Sequence, residues 1–254
     1  MSVHLALEAG VAELRLDNPR RGNALTPVML DQLAAHCDAI DRDAGVRVVI
    51  VVAAGSKAFC TGADIAAWGD LTPAVFARDW VRHGHRVFDR LARLSKPTIA
   101  VIEGHAFGGG LELAAACDIR VMAPGARLAL PETGVGIVPG WSGTQRLARL
   151  LPEAVLKEMA LFGVQLSAER ALALGFVAEV CDDPCEAAMA LVDRLSATSP
   201  RATEVVKYMI HAAVGEDTGA MIEALGSGMI AASADKAEGV AAFRAKRKPE
   251  FSGE

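Results

Sequence analysis

The sequence predicts an α/β core followed by a C-terminal helical portion. Strand, turn and helix follow one another twice in the first half of the chain, and the central strands are β-branched runs with almost no polar residue. Beyond Pro139-Gly140 the pattern becomes mostly helical.

His4-Leu5-Ala6-Leu7-Glu8 and residues 11–16 alternate apolar with polar or small residues around Ala9-Gly10, the pattern of two antiparallel strands joined by a tight turn. Asn18-Pro19 breaks that pattern. Thr26 then precedes Pro27 as N-cap and first helical residue of a helix reaching about Asp41. Residues 46–52 read as a strand covered on both faces. A helix is expected over 73–94, with Val75, Phe76, Trp80, Val87, Phe88 and Leu91 at helical spacing and Pro97 beyond its end. Residues 98–102 form the next buried strand, and Gly108-Gly109-Gly110 separates it from a helix over 111–117. After a strand at 119–122, the Pro124-Gly125 turn returns the chain through 127–130 to Pro131-Glu132. A short strand is expected at 176–180, and the helical portion starts near Ser196, dividing the chain into regions 1–195 and 196–254.

A chain of 254 residues buries roughly three quarters of the surface exposed on unfolding, enough for one substantial core without disulfides or metals. No stretch reaches the roughly 20 apolar residues of a membrane span. The N-terminus lacks a basic segment followed by an apolar one, so a cytoplasmic location is expected. The five cysteines are scattered, and Cys181 and Cys185 lack a second pair or nearby histidines, so reduced thiols and no metal are expected. A net charge of -5 argues against a nucleic-acid groove, and the short Lys246-Arg247-Lys248 run reads as a solvated tail.

The chemistry concentrates where strands hand over to helices. In Gly104-His105-Ala106-Phe107-Gly108-Gly109-Gly110-Leu111-Glu112 three glycines remove the Cβ atoms that would block a ligand, and a helix start offers N–H groups with no intrahelical partner. The spacing matches neither a Walker loop nor a dinucleotide fingerprint, and a tight turn for helix packing is the competing reading. A second candidate donor strip is Ala58-Phe59-Cys60-Thr61-Gly62-Ala63-Asp64-Ile65. If the Ala63 and Gly109 amides point at one spot, they form a hole for a developing oxyanion. Glu112 and Glu132 are candidates for paired proton transfer, because burial and mutual repulsion separate the pKa values of two neighbouring carboxylates. Gly140-Trp141-Ser142-Gly143 places its second glycine too early for a serine-hydrolase elbow, which leaves Ser142 a turn or cap residue. His83 and His85 stand on different faces of their helix.

Together Phe59-Cys60-Thr61-Gly62-Ala63-Asp64-Ile65, the Gly104 to Leu113 segment, Cys117-Asp118, Pro131-Glu132 and Pro139-Gly140-Trp141-Ser142-Gly143-Thr144-Gln145-Arg146-Leu147 resemble the enoyl-CoA hydratase/isomerase (crotonase) family in order and interval. The resemblance implies a spiral of ββα turns over 1–195, with a C-terminal helical region over 196–254 that assembles trimers, commonly paired into hexamers. It implies coenzyme A thioester substrates and no metal or redox cofactor. By position, Ala63 and Gly109 match the oxyanion-hole amides, with Gly108 beside them, and Glu112 and Glu132 match both catalytic glutamates of the hydratases. Ala63, Asp64, Ile65 and Ala66 match the strip bordering the coenzyme, and Asn23, Ala24 and Leu25 the residues flanking its pantetheine. Phe243 and Lys246 match positions near its nucleotide end, from a neighbouring subunit.

Trp141-Ser142 departs from the family pattern, since many relatives carry small residues there; the indole either shapes the acyl pocket or points into the core. Both glutamates favour reversible hydration of a 2-enoyl-CoA over three alternatives: enoyl-CoA isomerisation, which works with one carboxylate, thioester hydrolysis or decarboxylation on the same hole, and a non-catalytic RNA-associated relative, which the acidic balance disfavours.

Overall fold

The computed structural model describes residues 1–55, 57–216 and 218–254. They divide into two compact units, Met1–Thr198 and Ser199–Glu254.

In the first unit, β1 (Ser2–Glu8) and β2 (Val11–Asp17) pair antiparallel through a turn in which Ala9 (φ 47°) and Gly10 (φ 83°) are both left-handed. Such a turn matches the twist of the strands it joins. The helix α1 (Pro27–Arg42) starts where expected: the Thr26 hydroxyl accepts from the Met29 N–H, and Met29, Leu30, Leu33, Cys37 and Ile40 form its buried stripe.

From there the chain winds in turns that each place one strand in either of two sheets. The first turn is β3 (Val48–Ala53), β4 (Ala58–Cys60), then α2 (Ile65–Trp68), α3 (Pro73–Val75), a π-helical stretch (Phe76–Val81) and α4 (Arg82–Ala92). The second is β5 (Thr98–Ile102), β6 (His105–Phe107) and α5 (Gly109–Ala115). The third is β7 (Ile119–Met122), β8 (Arg127–Ala129), a 3-10 turn (Glu132–Val135), α6 (Gly143–Leu150) and α7 (Glu153–Phe162). The unit ends with β9 (Leu166–Ser167), α8 (Ala168–Ala173), β10 (Glu179–Val180) and α9 (Pro184–Leu195).

Among the described residues one sheet has the order β1-β2-β3-β5-β7-β10 and the other β4-β6-β8-β9; apart from β1/β2 and β8/β9 every pair is parallel. β3 is covered on both faces, as its composition demands: Val49 and Val51 enter the main core, while Val48, Ile50 and Val52 join Ile99, Val101, Val121 and the α9 residues Ala187 and Ala188. The expected ββα spiral is therefore present.

Three local expectations change. The Pro124-Gly125 turn is a corner between sheets, because β7 pairs with β5 while β8 pairs with β6. The helix expected over 73–94 is interrupted by the π-helical stretch. The strand expected at 176–180 shrinks to Glu179–Val180, with Phe176 and Val177 buried in the loop before it.

The second unit holds α10 (Pro200–Ala213), α11 (Thr218–Ala231) and α12 (Ala234–Ala245). Its basic run is more structured than a solvated tail: Lys246 caps α12 in the left-handed region, and Arg247 donates to both Glu238 carboxylate oxygens at 2.6 and 2.8 Å. Among the described residues no helix is long and apolar enough to cross a membrane, and no group of three or more His, Cys, Asp or Glu side chains is placed to hold a metal ion.

Asn23 has a role that its position in the sequence did not reveal. It is 1% exposed, adopts φ 57°, donates through Nδ2 to the carbonyls of Ala54 (3.0 Å) and Ala58 (2.9 Å), and accepts from the Asn18 N–H (2.9 Å). It thereby staples the loop after β2 to the β3–β4 connection. Asn23→Ala removes three buried hydrogen bonds and keeps the strained φ, so about 3–5 kcal/mol of stability should be lost. Asn23→Gly relieves the strain alone and should recover about 1 kcal/mol of that loss. Denaturant unfolding of the two variants checks both values, and equal, near-wild-type midpoints would refute the assignment.

Candidate active site

The second sheet builds the site. In parallel strands the carboxyl ends lie side by side, and ligands of open α/β sheets gather outside those ends. Cys60 pairs with Ala106, and Phe107 pairs with Ala129. One to three residues beyond the strand ends come Gly62-Ala63, Gly108-Gly109 and Pro131-Glu132, so three segments distant in sequence end together.

Glycines let them touch. A Cβ on Gly62 (φ 101°) would stand 3.1 Å from the Gly109 nitrogen, and a Cβ on Gly108 (φ 51°) would stand 2.7 Å from Glu132 Oε1. The Gly108 N–H donates to the Ala129 carbonyl at 2.9 Å, which fixes the end of β8 against the start of α5.

Both candidate amides open onto this junction. Gly109 is the first residue of α5, where an N–H has no partner within the helix. Leu25 bridges Ala63 in parallel: the Leu25 N–H donates to Gly62 O (2.7 Å) and the Asp64 N–H to Leu25 O (2.8 Å). Ala63, lying between those two bonds, turns its own N–H to the opposite side. Ala63 and Gly109 both line a cavity of about 140 Å³, with Gly108, Glu112, Glu132, Ile65, Trp68, Phe76, Trp80 and Trp141.

The two glutamates share this cavity but differ in surroundings. Glu112 is 2% exposed, and its Oε1 accepts from the backbone N–H groups of Trp141 and Gly143, each at 2.8 Å. Burial raises its pKa above the usual carboxylate range; the two amides and the Arg146 guanidinium oppose that rise by favouring the anion. Glu132 is 7% exposed, and no group among the described residues hydrogen-bonds its Oε2. Burial, reinforced by the charge of Glu112, pushes its pKa up to about 7.

The loop that holds Glu112 is itself held. Ser142 sits at the N-cap of α6 with φ 74°, and its hydroxyl lies 2.8 Å from His85 Nδ1 in place of a capping bond. His85 Nε2 is 3.3 Å from Asp89, which also pairs with the buried Arg146. Sequence reasoning missed this role of His85.

The remaining expected site residues fall into three groups. Ile65 lines the cavity, and Ala66 donates to the Asp64 carboxylate (3.1 Å), which also receives Arg21 Nη1 at 2.8 and 2.9 Å. Asn23, Ala24 and Leu25 are buried beside the Gly62–Asp64 strip and support it without lining the cavity. Phe243, 86% exposed, and Lys246 belong to the second unit. Asp118 ties β5 to β7 by accepting from the Thr98 N–H (2.8 Å) and hydroxyl (2.9 Å).

A ββα spiral that gathers backbone amides and two buried carboxylates in one apolar cavity defines the class of protein. The enoyl-CoA hydratase/isomerase family model matches residues 6–254, and the chain belongs to that family. A probable enoyl-CoA hydratase of Bacillus subtilis (strain 168) is 36% identical over 258 residues, covering 100% of this chain and 99% of the relative. The (E)-benzylidenesuccinyl-CoA hydratase of Thauera aromatica is 33% identical over 259 residues, covering 100% of both. The crystal structure of an enoyl-CoA hydratase from Bacillus anthracis superposes with a TM-score of 0.81 at 32% identity, covering 99% of each chain.

Proposed function

We propose that the protein is an enoyl-CoA hydratase, adding water reversibly across the 2,3 double bond of an enoyl-CoA to give a 3-hydroxyacyl-CoA. The observation that carries this reading is the meeting of Glu112 and Glu132, in unlike environments, at a cavity also lined by Ala63 and Gly109.

The thioester oxygen accepts from the Ala63 and Gly109 N–H groups, which stabilise the charge arriving there as C3 is attacked; donors of this kind contribute about 3–4 kcal/mol each to the transition state. Glu112, whose anion is favoured by two amides, takes a proton from water as the water oxygen bonds to C3. Glu132, half-protonated near neutrality, delivers its proton to C2. C3 thus receives the hydroxyl of water and C2 the proton of Glu132, leaving Glu112 protonated and Glu132 ionised; proton exchange with solvent restores both. Dehydration runs the same steps backwards.

The test is direct. Crotonyl-CoA should lose its conjugated absorbance on addition of the protein, and a 3-enoyl-CoA should not gain it at a comparable rate. Isomerisation without hydration would instead assign the proton shuttle of an isomerase.

The pH dependence has a definite sign. Hydration needs protonated Glu132, so kcat/KM in that direction should fall about tenfold per pH unit once the pH exceeds about 7. Dehydration needs the Glu132 anion with Glu112 protonated, the same number of protons on the pair, so its kcat/KM should fall through the same interval. A hydration profile still flat at about pH 9 would remove Glu132 as the acid.

Self-association into a trimer or hexamer is part of the proposal. It is supported by the exposure, in the single chain, of Val206, Met209, Ile210, Met229, Ile230 and Phe243 on the second unit. Sedimentation as a monomer at micromolar concentration would refute it.

A further inference from the structure

We infer that this site takes short acyl groups, of about four to six carbons, and that the Trp141 indole wedged between two helices sets the limit; the inference rests on the acyl-CoA reading above.

The indole is bracketed by two glycines on different elements. A Cβ on Gly109 of α5 would lie 2.8 Å from its benzo carbons Cε3 and Cζ3, and a Cβ on Gly84 of α4 would lie 2.2 Å from Nε1. No side chain fits at either place while the ring is there. Trp141 also packs against Trp80 (ring centroids 5.3 Å apart) and edge-on against Phe88 (5.2 Å). Trp80 lines the cavity, whereas Gly84 and Phe88 do not, so the indole divides the cavity from the α4 surface behind it.

Its position relative to the reacting atoms decides what is excluded. The benzo edge rests on Gly109, whose N–H is assigned to the thioester oxygen, and the Trp141 backbone N–H holds Glu112. An acyl chain therefore meets the ring within a few bonds of C2 and C3. The cavity of about 140 Å³ must also contain those reacting carbons. A dry engineered cavity of about 150 Å³ holds one benzene, so a chain directed at the indole has room for only a few further carbons, while the side of the cavity at the exposed Val135 and Val138 stays open.

The two glycines give variants of opposite sign. Trp141→Ala and the milder Trp141→Phe open the cavity toward Gly84 and Phe88. Gly84→Ala leaves a helical position well filled but drives the indole toward the acyl group. Saturated acyl-CoAs from butyryl to decanoyl are titrated calorimetrically, and the matching 2-enoyl-CoAs are assayed for hydration.

The wild type should prefer the four-carbon over the ten-carbon substrate by roughly 100-fold or more in kcat/KM, since one methylene that does not fit costs about tenfold or more. Trp141→Ala should raise the ten-to-four ratio by at least about tenfold, Trp141→Phe by less, and Gly84→Ala should lower the six-to-four ratio. If Trp141→Ala does not fold, the other two variants carry the same opposed signs. Equal use of the ten- and four-carbon substrates by the wild type, or ratios unmoved in the variants, overturns the inference and leaves hydration intact. Tight binding of butyryl-CoA over decanoyl-CoA with no hydration of any enoyl-CoA supports the inference and overturns the proposed reaction. No binding of any acyl-CoA overturns both.

Discussion

Glu112→Gln should lower the rate of crotonyl-CoA hydration by about 10²–10⁴-fold while acyl-CoA binding changes little. Glutamine keeps the size of the side chain and an oxygen able to accept the Trp141 and Gly143 N–H groups, so the loop stays anchored. What is lost is the anion that takes the proton from water. The partner variant Glu132→Gln should fall by a similar factor for a different reason: the amide can donate a hydrogen bond to C2 but cannot transfer the proton. Because the two groups act in one event, the double variant should be far less than multiplicatively worse. Single-turnover rates with crotonyl-CoA, beside calorimetric titration with butyryl-CoA, separate chemistry from binding. Unchanged hydration by Glu112→Gln would withdraw its role as base.

Gly110→Ala should be among the most damaging small substitutions in the chain. A Cβ there would lie 2.0 Å from the Cys60 carbonyl oxygen and 2.7 Å from its carbon, both main-chain atoms of β4 that cannot rotate away. All seven residues of α5 are buried, so the helix can retreat only by opening the core. A loss of more than about 3 kcal/mol of stability is expected, comparable to severe overpacking. Any folded fraction should also lose about 100-fold in kcat/KM, because a displacement of about 1 Å moves the Gly109 amide off the Ala63 strip. Gly125→Ala is the matched control: nothing lies within 4 Å of a Cβ at that turn, and its unfolding midpoint should stay near the wild type. Equal stability of the two variants would show that α5 and β4 are not in the contact described.

Much of the first sheet was legible because its signals are long. Thr26-Pro27 and the stripe from Met29 to Ile40 announce α1, and the run that became β3 has no polar residue to place on a wet face. The second sheet was not legible: β4, β6 and β8 are three residues each and β9 two, too short to display a period of two. Yet these strands carry the site. Glu112 and Glu132 stood out only as candidates until the resemblance matched both to catalytic positions, and their meeting follows from the pairing of Phe107 with Ala129, which no local pattern encodes. Asn23 offered one local signal, an Asn after Gly22 in a turn-rich stretch, but its three hydrogen bonds depend on where β3 and β4 are joined. Trp141 was open between pocket and core, and the structure gives it both, one side lining the cavity and the other against Phe88.

The π-helical stretch has an evolutionary consequence. A widened turn holds a residue more than a regular one, so Phe76–Val81 is a place where the gene can drop or gain a single codon and the helix still closes. Each such event would rotate Phe76 by about 100° around the axis relative to the residues beyond it. Phe76, Trp80 and Val81 line one wall of the cavity, while both glutamates are carried elsewhere. Substrate preference can thus drift by insertion and deletion in a segment that carries neither glutamate, and a lineage can change its diet while keeping both proton-transfer groups.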